Sequence, residues 1–468
     1  MSIRHHNIII PENNPFEHCR LDRKKYADIL TQIVGTYADG FVLAINNKWG
    51  TGKTTFIKMW ELQLKSEGFR TLYFNAWEND FELNPLTALL AELKKLISKG
   101  NEKDFKSLLS KAVILTKNIA PAVAKAIVKR YIDHEDLNNI VENSTKAGSE
   151  LLEKEIEAYG KKQKGLLDFR NDLEVLIKNN IDNKPLIFII DELDRCRPNY
   201  AVEVLERIKH FFNVDGIVFV LSIDKEQLGY AIKGVYGSEN LDVSQYLKRF
   251  IDIEYSIPEP DYIQSCSYFF DYFKFSEFFN SQRRIPHKAF RDDSHNLIHF
   301  SGFLFQEKKL SLREIEKIFS HARITLLSFQ ENSYVFPSVL IFLIYLQKYY
   351  IRFYQNIKDQ NLSPQEFIDE LENIFPKHID DVAIKYLLST ETLLIYFFHN
   401  YISESNGENK LFHESNNTDG IQLLINTRFE KYKSTIERRL KDFDREEFWK
   451  TKLDYIINKI DLIESVIQ

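Results

Sequence analysis

Two rhythms of apolar residues alternate along the first 260 positions. Unbroken apolar runs occur at Phe41-Val-Leu-Ala-Ile, Thr71-Leu-Tyr-Phe-Asn-Ala-Trp, Leu186-Ile-Phe-Ile-Ile and Gly216-Ile-Val-Phe-Val-Leu-Ser. Between them apolar residues recur every third or fourth position, as in Tyr26, Ile29, Leu30 and Ile33 within Leu21 to Val34, or Val204, Leu205, Ile208, Phe211 and Phe212. The runs read as strands buried on both faces, the recurrences as helices with one apolar stripe. Pro85 suits the first turn of a helix. Val243 to Phe250 reads as a short helix and Ile251 to Ile257 as a last strand, closed by Pro258 and Pro260. Such alternation predicts an α/β fold with a covered, mostly parallel sheet. A mixed-charge helical insertion interrupts it, so the core comprises residues 1–95 and 184–260, with the insertion at 96–183. Past Pro260 the pattern is helical and rich in Phe and Tyr, predicting a helical lid at 261–330 and an all-α C-terminal interaction region at 331–468. Those aromatics recur at helical spacing and read as core.

A length of 468 residues exceeds one ordinary core and agrees with two or three domains. The formal net charge of −6 does not mark a general nucleic-acid binder. Cys19, Cys196 and Cys266 are far apart, without a CxxC or Cys/His cluster, so neither a disulfide framework nor a zinc site is indicated and a reducing cytoplasm is expected. The first residues are too polar for a signal peptide. The longest uncharged run, Asn332 to Gln347, is broken by Pro337 and falls short of the roughly 20 residues of a spanning helix. No integral membrane segment is expected.

Asn47 to Thr54 reads N-K-W-G-T-G-K-T and joins the first strand to the helical pattern that starts at Thr55. A Walker A loop needs glycines so that successive amides close around phosphate oxygens, a lysine for the β and γ charge, and a hydroxyl for Mg²⁺. Gly50, Gly52, Lys53 and Thr54 supply these, and Lys48, Trp49, Thr51 and Thr55 complete the stretch that would hold the nucleotide. Asn47 stands where the eight-residue pattern has glycine. Asparagine tolerates a left-handed backbone, so a bend of that kind is expected there. Downstream, the run from Leu186 delivers Asp191 and Glu192 to a sheet edge, the form of a Walker B strand. Asp191 would then hold Mg²⁺ together with Thr54, while Glu192 orients or deprotonates the attacking water. Ser222 stands where a polar sensor reads the γ-phosphate. Asn75 is a candidate for orienting the water, and Trp77 for packing. One further strand between the Walker A and Walker B strands is the chain order of the additional-strand P-loop NTPase division.

Four segments together resemble the KAP family of P-loop NTPases: W-G-T-G-K-T from Trp49, F-N-A-W from Phe74, D-E-L-D-R-C-R-P from Asp191 and Y-L-K-R from Tyr246. The resemblance covers roughly residues 10–330. It implies an ATPase that uses ATP with Mg²⁺, with Lys53 and Glu192 catalytic. It further implies that Asp194 and Arg195 fix the Walker B loop or reach a neighbouring subunit. Arg249, after the Y-L-x-K-like helix, or Arg313, which resembles a lid-helix arginine, would offset the charge of phosphoryl transfer. Family members often carry membrane helices between Walker A and Walker B. This chain departs there: Lys111 to Arg130 holds five basic residues and no acidic one among apolar positions. That stretch suits either a peripheral contact with an anionic membrane or nucleic acid, or a helix pair packed on its own domain. Bacterial relatives are associated with phage exclusion, sometimes beside separate effectors, and animal relatives with signalling scaffolds. The expectation is a cytoplasmic ATPase that switches a homo-oligomer or a separately encoded effector, probed against a non-hydrolysing scaffold at a membrane surface and a DNA-stimulated ATPase.

Overall fold

Five strands form one sheet in which every neighbouring pair is parallel: β1 (Phe41–Asn46), β2 (Thr71–Asn75), β3 (Leu186–Asp191), β4 (Ile217–Ile223) and β5 (Ile253–Tyr255), in the order β2-β3-β4-β1-β5. The computed structural model describes residues 9–37, 39–97, 102–116, 150–179, 184–377, 380–403, 410–414, 420–444 and 451–467. Parallel neighbours need crossovers, and helices supply them. Helix α1 (Lys24–Thr36) precedes the sheet and α2 (Lys53–Ser66) links β1 to β2. Helices α3 (Pro85–Leu93), α4 (Glu102–Thr116) and α5 (Glu150–Lys178) lie between β2 and β3, α6 (Pro198–Phe211) between β3 and β4, and α7 (Lys225–Tyr236) and α8 (Val243–Leu247) between β4 and β5. Because β4 lies between β1 and β3, the phosphate-loop strand and the carboxylate strand are separated by one strand, the spatial arrangement of an additional-strand core.

The period of two along each strand sorts its residues between two cores. Leu43, Ile45, Ile187, Ile189, Val218 and Val220 pack with α1 and α2. Ala44, Phe74, Phe188, Ile190, Phe219 and Leu221 face the other way, onto α3, α6 and α7. Every residue of β3 and β4 is buried, which accounts for their unbroken apolar sequences. The described insertion helices join this second core: Phe105 and Leu108 of α4 and Phe169 and Leu173 of α5 are buried within it. Phe169 meets Phe211 and Phe212 edge to face at 5.6 and 6.0 Å. Lys111, first of the basic stretch, is held by Asp172 of α5 at 2.5 Å. Lys117, Lys125, Lys129 and Arg130 lie outside the described residues, and so does any membrane or nucleic-acid contact expected of them. Among the described residues no helix is long and apolar enough to cross a membrane.

The chain divides into two compact units, Asn7–Glu259 and, from Pro260 onward, a helical unit. The buried residues of the helical unit form one cluster that extends from Cys266 to Ile460, across the lid boundary expected at residue 330. Aromatic contacts carry it over that point, such as Phe305 on Tyr345 at 6.0 Å and Phe300 on Phe342 at 6.3 Å. Apart from one antiparallel strand pair, Phe412–Glu414 with Ile421–Leu423, the described regular structure here is helical.

Candidate functional site

The carboxyl ends of parallel strands, where chain turns outward into loops, are where an open α/β sheet gathers polar side chains. Register places Asn75 beside Asp191 and Asp191 beside Ser222, so polar residues at the ends of β2 and β3 and one short of the end of β4 lie on one line. Ser222 in turn pairs with Ile45, one residue from the end of β1, and the loop that follows is Asn47 to Gly52.

That loop turns at Gly50 and Gly52, which hold φ of 78° and 80°, a region open to glycine at little cost. Gly52 ends the loop as the first flank of α2, so Lys53, Thr54 and Thr55 open the helix, where unpaired amides and the helix dipole favour an anion. Asn47 does not take the left-handed backbone expected of it. Its side chain explains the residue instead: Asn47 Nδ2 donates to the Ile257 carbonyl at 2.7 Å and Asn47 Oδ1 accepts from the Ile257 amide at 3.0 Å. A glycine would leave both groups of Ile257 without this partner. The loop is also held from beneath. Buried Arg23 donates to the carbonyls of Thr51 at 2.7 Å and Gly52 at 3.2 Å, and burial holds its guanidinium below the usual arginine range. Trp49 N donates to Asp224 Oδ2 at 3.1 Å, while Asp224 Oδ1 caps α7. Lys48 is exposed and its carbonyl accepts from the Thr51 hydroxyl at 2.9 Å.

Lys53 is 9% exposed, and its ammonium donates to the Asn47 carbonyl across the loop. Burial lowers its pKa, against the attraction of Asp194, Asp224 and Asp191. The Lys53 charge therefore lies within electrostatic reach of Asp194, Asp224 and Asp191. Asp191 is fully buried; its Oδ2 accepts from the Tyr73 hydroxyl at 3.0 Å and its Oδ1 from the Glu192 amide at 2.9 Å. Glu192 holds φ 61°, a left-handed conformation that costs a non-glycine residue roughly 1–3 kcal/mol. Both of its oxygens are engaged, Oε2 by Asn75 Nδ2 at 3.1 Å and Oε1 by Arg195 at 2.6 Å. The Arg195 guanidinium lies 6.0 Å from the Trp49 ring and 5.8 Å from the Trp77 ring. Trp77, expected to pack, is 51% exposed. The Trp49 indole donates to Asp194, whose carboxyl burial pushes upward.

Ser222 Oγ, buried at this edge, has no hydrogen-bond partner among the described residues. An orphaned buried hydroxyl or carboxylate oxygen costs about 1–3 kcal/mol unless something completes it. A triphosphate with Mg²⁺ fits this donor set: left-handed glycines and a helix start for phosphate oxygens, the Thr54 hydroxyl and Asp191 for a hard cation that keeps several waters, and Ser222 as an unused donor. Among the described residues no cluster of three His, Cys, Asp or Glu side chains forms a protein-only metal site.

The structure places Arg249 away from this edge. Arg249 is exposed, follows α8 and lines a cavity with Gly40, Phe41 and Val42, at the amino edge of the sheet, opposite the loop. Within one chain it does not reach the phosphates. Arg313 is exposed in the first turn of helix Leu312–Thr325 and belongs to the helical unit. Conversely, sequence reasoning missed Arg23 and Tyr73 and left Asp224 without a role. Tyr73 was readable in principle, since it shares a strand face with Asn75; Arg23 carries no local signal.

Among characterised and uncharacterised relatives, the "Uncharacterized protein MJ0182" of Methanocaldococcus jannaschii is 32% identical over 177 residues, covering 33% of this chain and 90% of that protein. The structure of the Aeropyrum pernix ORC2 protein, in ADPNP-ADP complexes, aligns over 95% of this chain and 86% of its own at 13% identity, with a TM-score of 0.34. A DNA replication initiation factor aligns over 93% and 96% at 12% identity, with a TM-score of 0.24. Neither structural likeness is close enough to carry weight. The model of the KAP family P-loop domain matches residues 23–325, which includes the loop, the carboxylate strand and Arg313, and the chain belongs to that family of P-loop NTPases.

Proposed function

We propose that this protein binds ATP with Mg²⁺ and hydrolyses it to switch a homo-oligomer or a partner effector. The observation that carries this reading is the convergence of Lys53, Asp191 and Glu192 at one sheet edge, with Ser222 Oγ left without a partner among the described residues. Mg²⁺ would supply charge neutralisation between the β- and γ-phosphate oxygens. The chain's own groups do the rest. Amides from Gly50 to Thr54 and the Lys53 ammonium bind and align the phosphates, and the Tyr73 hydroxyl holds Asp191 in orientation. Glu192 takes the proton of the attacking water once its bond to Arg195 is exchanged for the water. Arg249, exposed on the opposite edge, suits delivery to the pocket of a second copy, where its charge meets the charge developing on the transferred phosphoryl group. A role in anti-phage defence rests on the family association alone, and loss of protection against phage in cells carrying Lys53→Ala tests it.

The deciding experiment follows phosphate release with and without Mg²⁺. Lys53→Ala is expected to abolish nucleotide binding; Glu192→Gln is expected to keep binding while lowering turnover by roughly 10²-fold or more. Engagement of both Glu192 oxygens also favours a second reading, a nucleotide-gated scaffold with negligible turnover. Equal, near-zero phosphate release from the parent and Glu192→Gln, with ATP bound by both, would establish that one. Stimulation by DNA that survives neutralisation of Lys117, Lys125, Lys129 and Arg130 would argue against those residues as a nucleic-acid contact.

A further inference from the structure

We propose that the helical unit contains a binding site for a small organic amine, in a cavity of about 280 Å³ far from the nucleotide chemistry in sequence and independent of it. Helices Asp293–Lys308, Pro337–Tyr349, Asp381–Ser403 and Lys433–Asp444 contribute its walls.

The wall selects by charge. Its ionisable carboxylates are Asp293 and Asp442, and among the described residues lining it there is no lysine, arginine or histidine. Tyr334, Phe336, Tyr386 and Phe443 add aromatic rings. Ring faces attract a cation by their quadrupole and accept an apolar body equally well. An anion would meet the Asp442 carboxylate and no basic side chain of the lining, Asp293 being already paired with Arg284 behind the wall. The Asn296 amide and Ser389 hydroxyl supply further acceptors for N–H groups. Ligand cavities run from roughly 300 to 1,000 Å³, so this one suits a compact molecule.

The wall is also built in advance. The Arg284 side chain, 0% exposed, donates to Asp293 Oδ2 and to the carbonyls of Glu331 at 3.0 Å and Ser333 at 2.6 Å. One guanidinium thus fixes the carboxylate and the turn that leads into Tyr334. It lies 4.0 Å from the centroid of Phe290, whose ring meets Tyr334 edge to face at 5.0 Å. Phe336 stacks on Tyr334 at 5.5 Å and holds φ 50°. A phenylalanine in that left-handed region is strained by roughly 1–3 kcal/mol, and such strain persists where the surroundings over-determine it, often at ligand clamps. Tyr386, on the facing helix, is set by a 2.6 Å hydrogen bond between its hydroxyl and His295. A preorganised pocket loses little on ordering when a ligand enters.

Calorimetric titration of the full chain with phenethylamine, 2-phenylethanol and 3-phenylpropionate tests the proposal, since the three differ in charge and little in shape. The amine is expected to bind at one site, about tenfold or more tighter than the alcohol, and the carboxylate not at all. Asp442→Asn, at the exposed rim, should weaken the amine by about tenfold, and Ser389→Trp, which fills the cavity, should abolish it. ATP affinity should stay at the parent value in both. Absence of amine binding, equal binding of the three compounds, or full affinity in Asp442→Asn overturns the proposal. If Ser389→Trp fails to fold, Asp442→Asn decides alone.

Discussion

The two units treat their buried polar groups in opposite ways. At the sheet edge of the first, each functional group rests on a partner that a phosphate or a water can replace: Lys53 on the Asn47 carbonyl, Glu192 on Asn75 and Arg195. In the helical unit the partners are closed off. Arg284 is sealed against Asp293, and Glu391, 0% exposed, is bonded to Thr427 at 2.8 Å. Thr427 Oγ1 also lies 2.7 Å from Glu372, and one hydroxyl has one proton to give. A protonated Glu391 satisfies the set, in accord with burial pushing its carboxyl up to about 8. Exchangeable partners leave their groups free to meet a ligand, and closed ones serve the stability of a single packed arrangement. The contrast makes opposite demands on substitutions in the two units, and three of them test it.

The largest effect is expected at Arg249. If it acts on the pocket of a second copy, Arg249→Ala lowers ATP turnover by roughly 10³-fold without changing the melting temperature. Mixing it with Glu192→Gln should then recover part of the activity, because each copy supplies what the other lacks. An unchanged rate removes Arg249 from the mechanism. Next comes Arg195. Freed of its ion pair, Glu192 has an oxygen open to water, so Arg195→Ala should raise basal phosphate release several-fold, within the roughly 10²–10⁴-fold that a general base contributes. A fall in rate would mean that Arg195 positions Glu192 for the reaction instead of withholding it. The third effect concerns stability alone. Because the folded pKa of Glu391 is raised, its contribution is complete below the ordinary glutamate range and is lost as pH rises toward about 8. Over that window the helical unit should lose up to about 1.4 kcal/mol per pH unit from this group. Glu391→Gln should flatten the pH dependence of melting and leave ATP turnover unchanged; a parent protein that melts at the same temperature from pH 5 to 8 would contradict it.

Much of the first unit was legible because its chemistry is local. Gly50 to Thr54 and Asp191-Glu192 each occupy one short stretch, and the period-two burial of β3 and β4 is written directly in their apolar runs. What escaped the sequence depends on distant pairing. The role of Asn47 lies in a residue 210 positions away, and Arg23 reaches the loop across 28 positions from a helix end with no motif of its own. Arg249 was placed correctly after a helix, yet which sheet edge that helix ends on is a property of topology. Helices on either side of residue 330 share the same aromatic periodicity and one buried cluster, and periodicity does not say which stripe meets which.

The clasp between Asn47 and Ile257 has one more consequence. Ile257 stands three residues before Pro260, where the first unit gives way to the second, and both of its peptide groups are tied to the first residue of the phosphate loop. The first residue of the phosphate loop is thus hydrogen-bonded to the stretch of chain that leads out of the first unit.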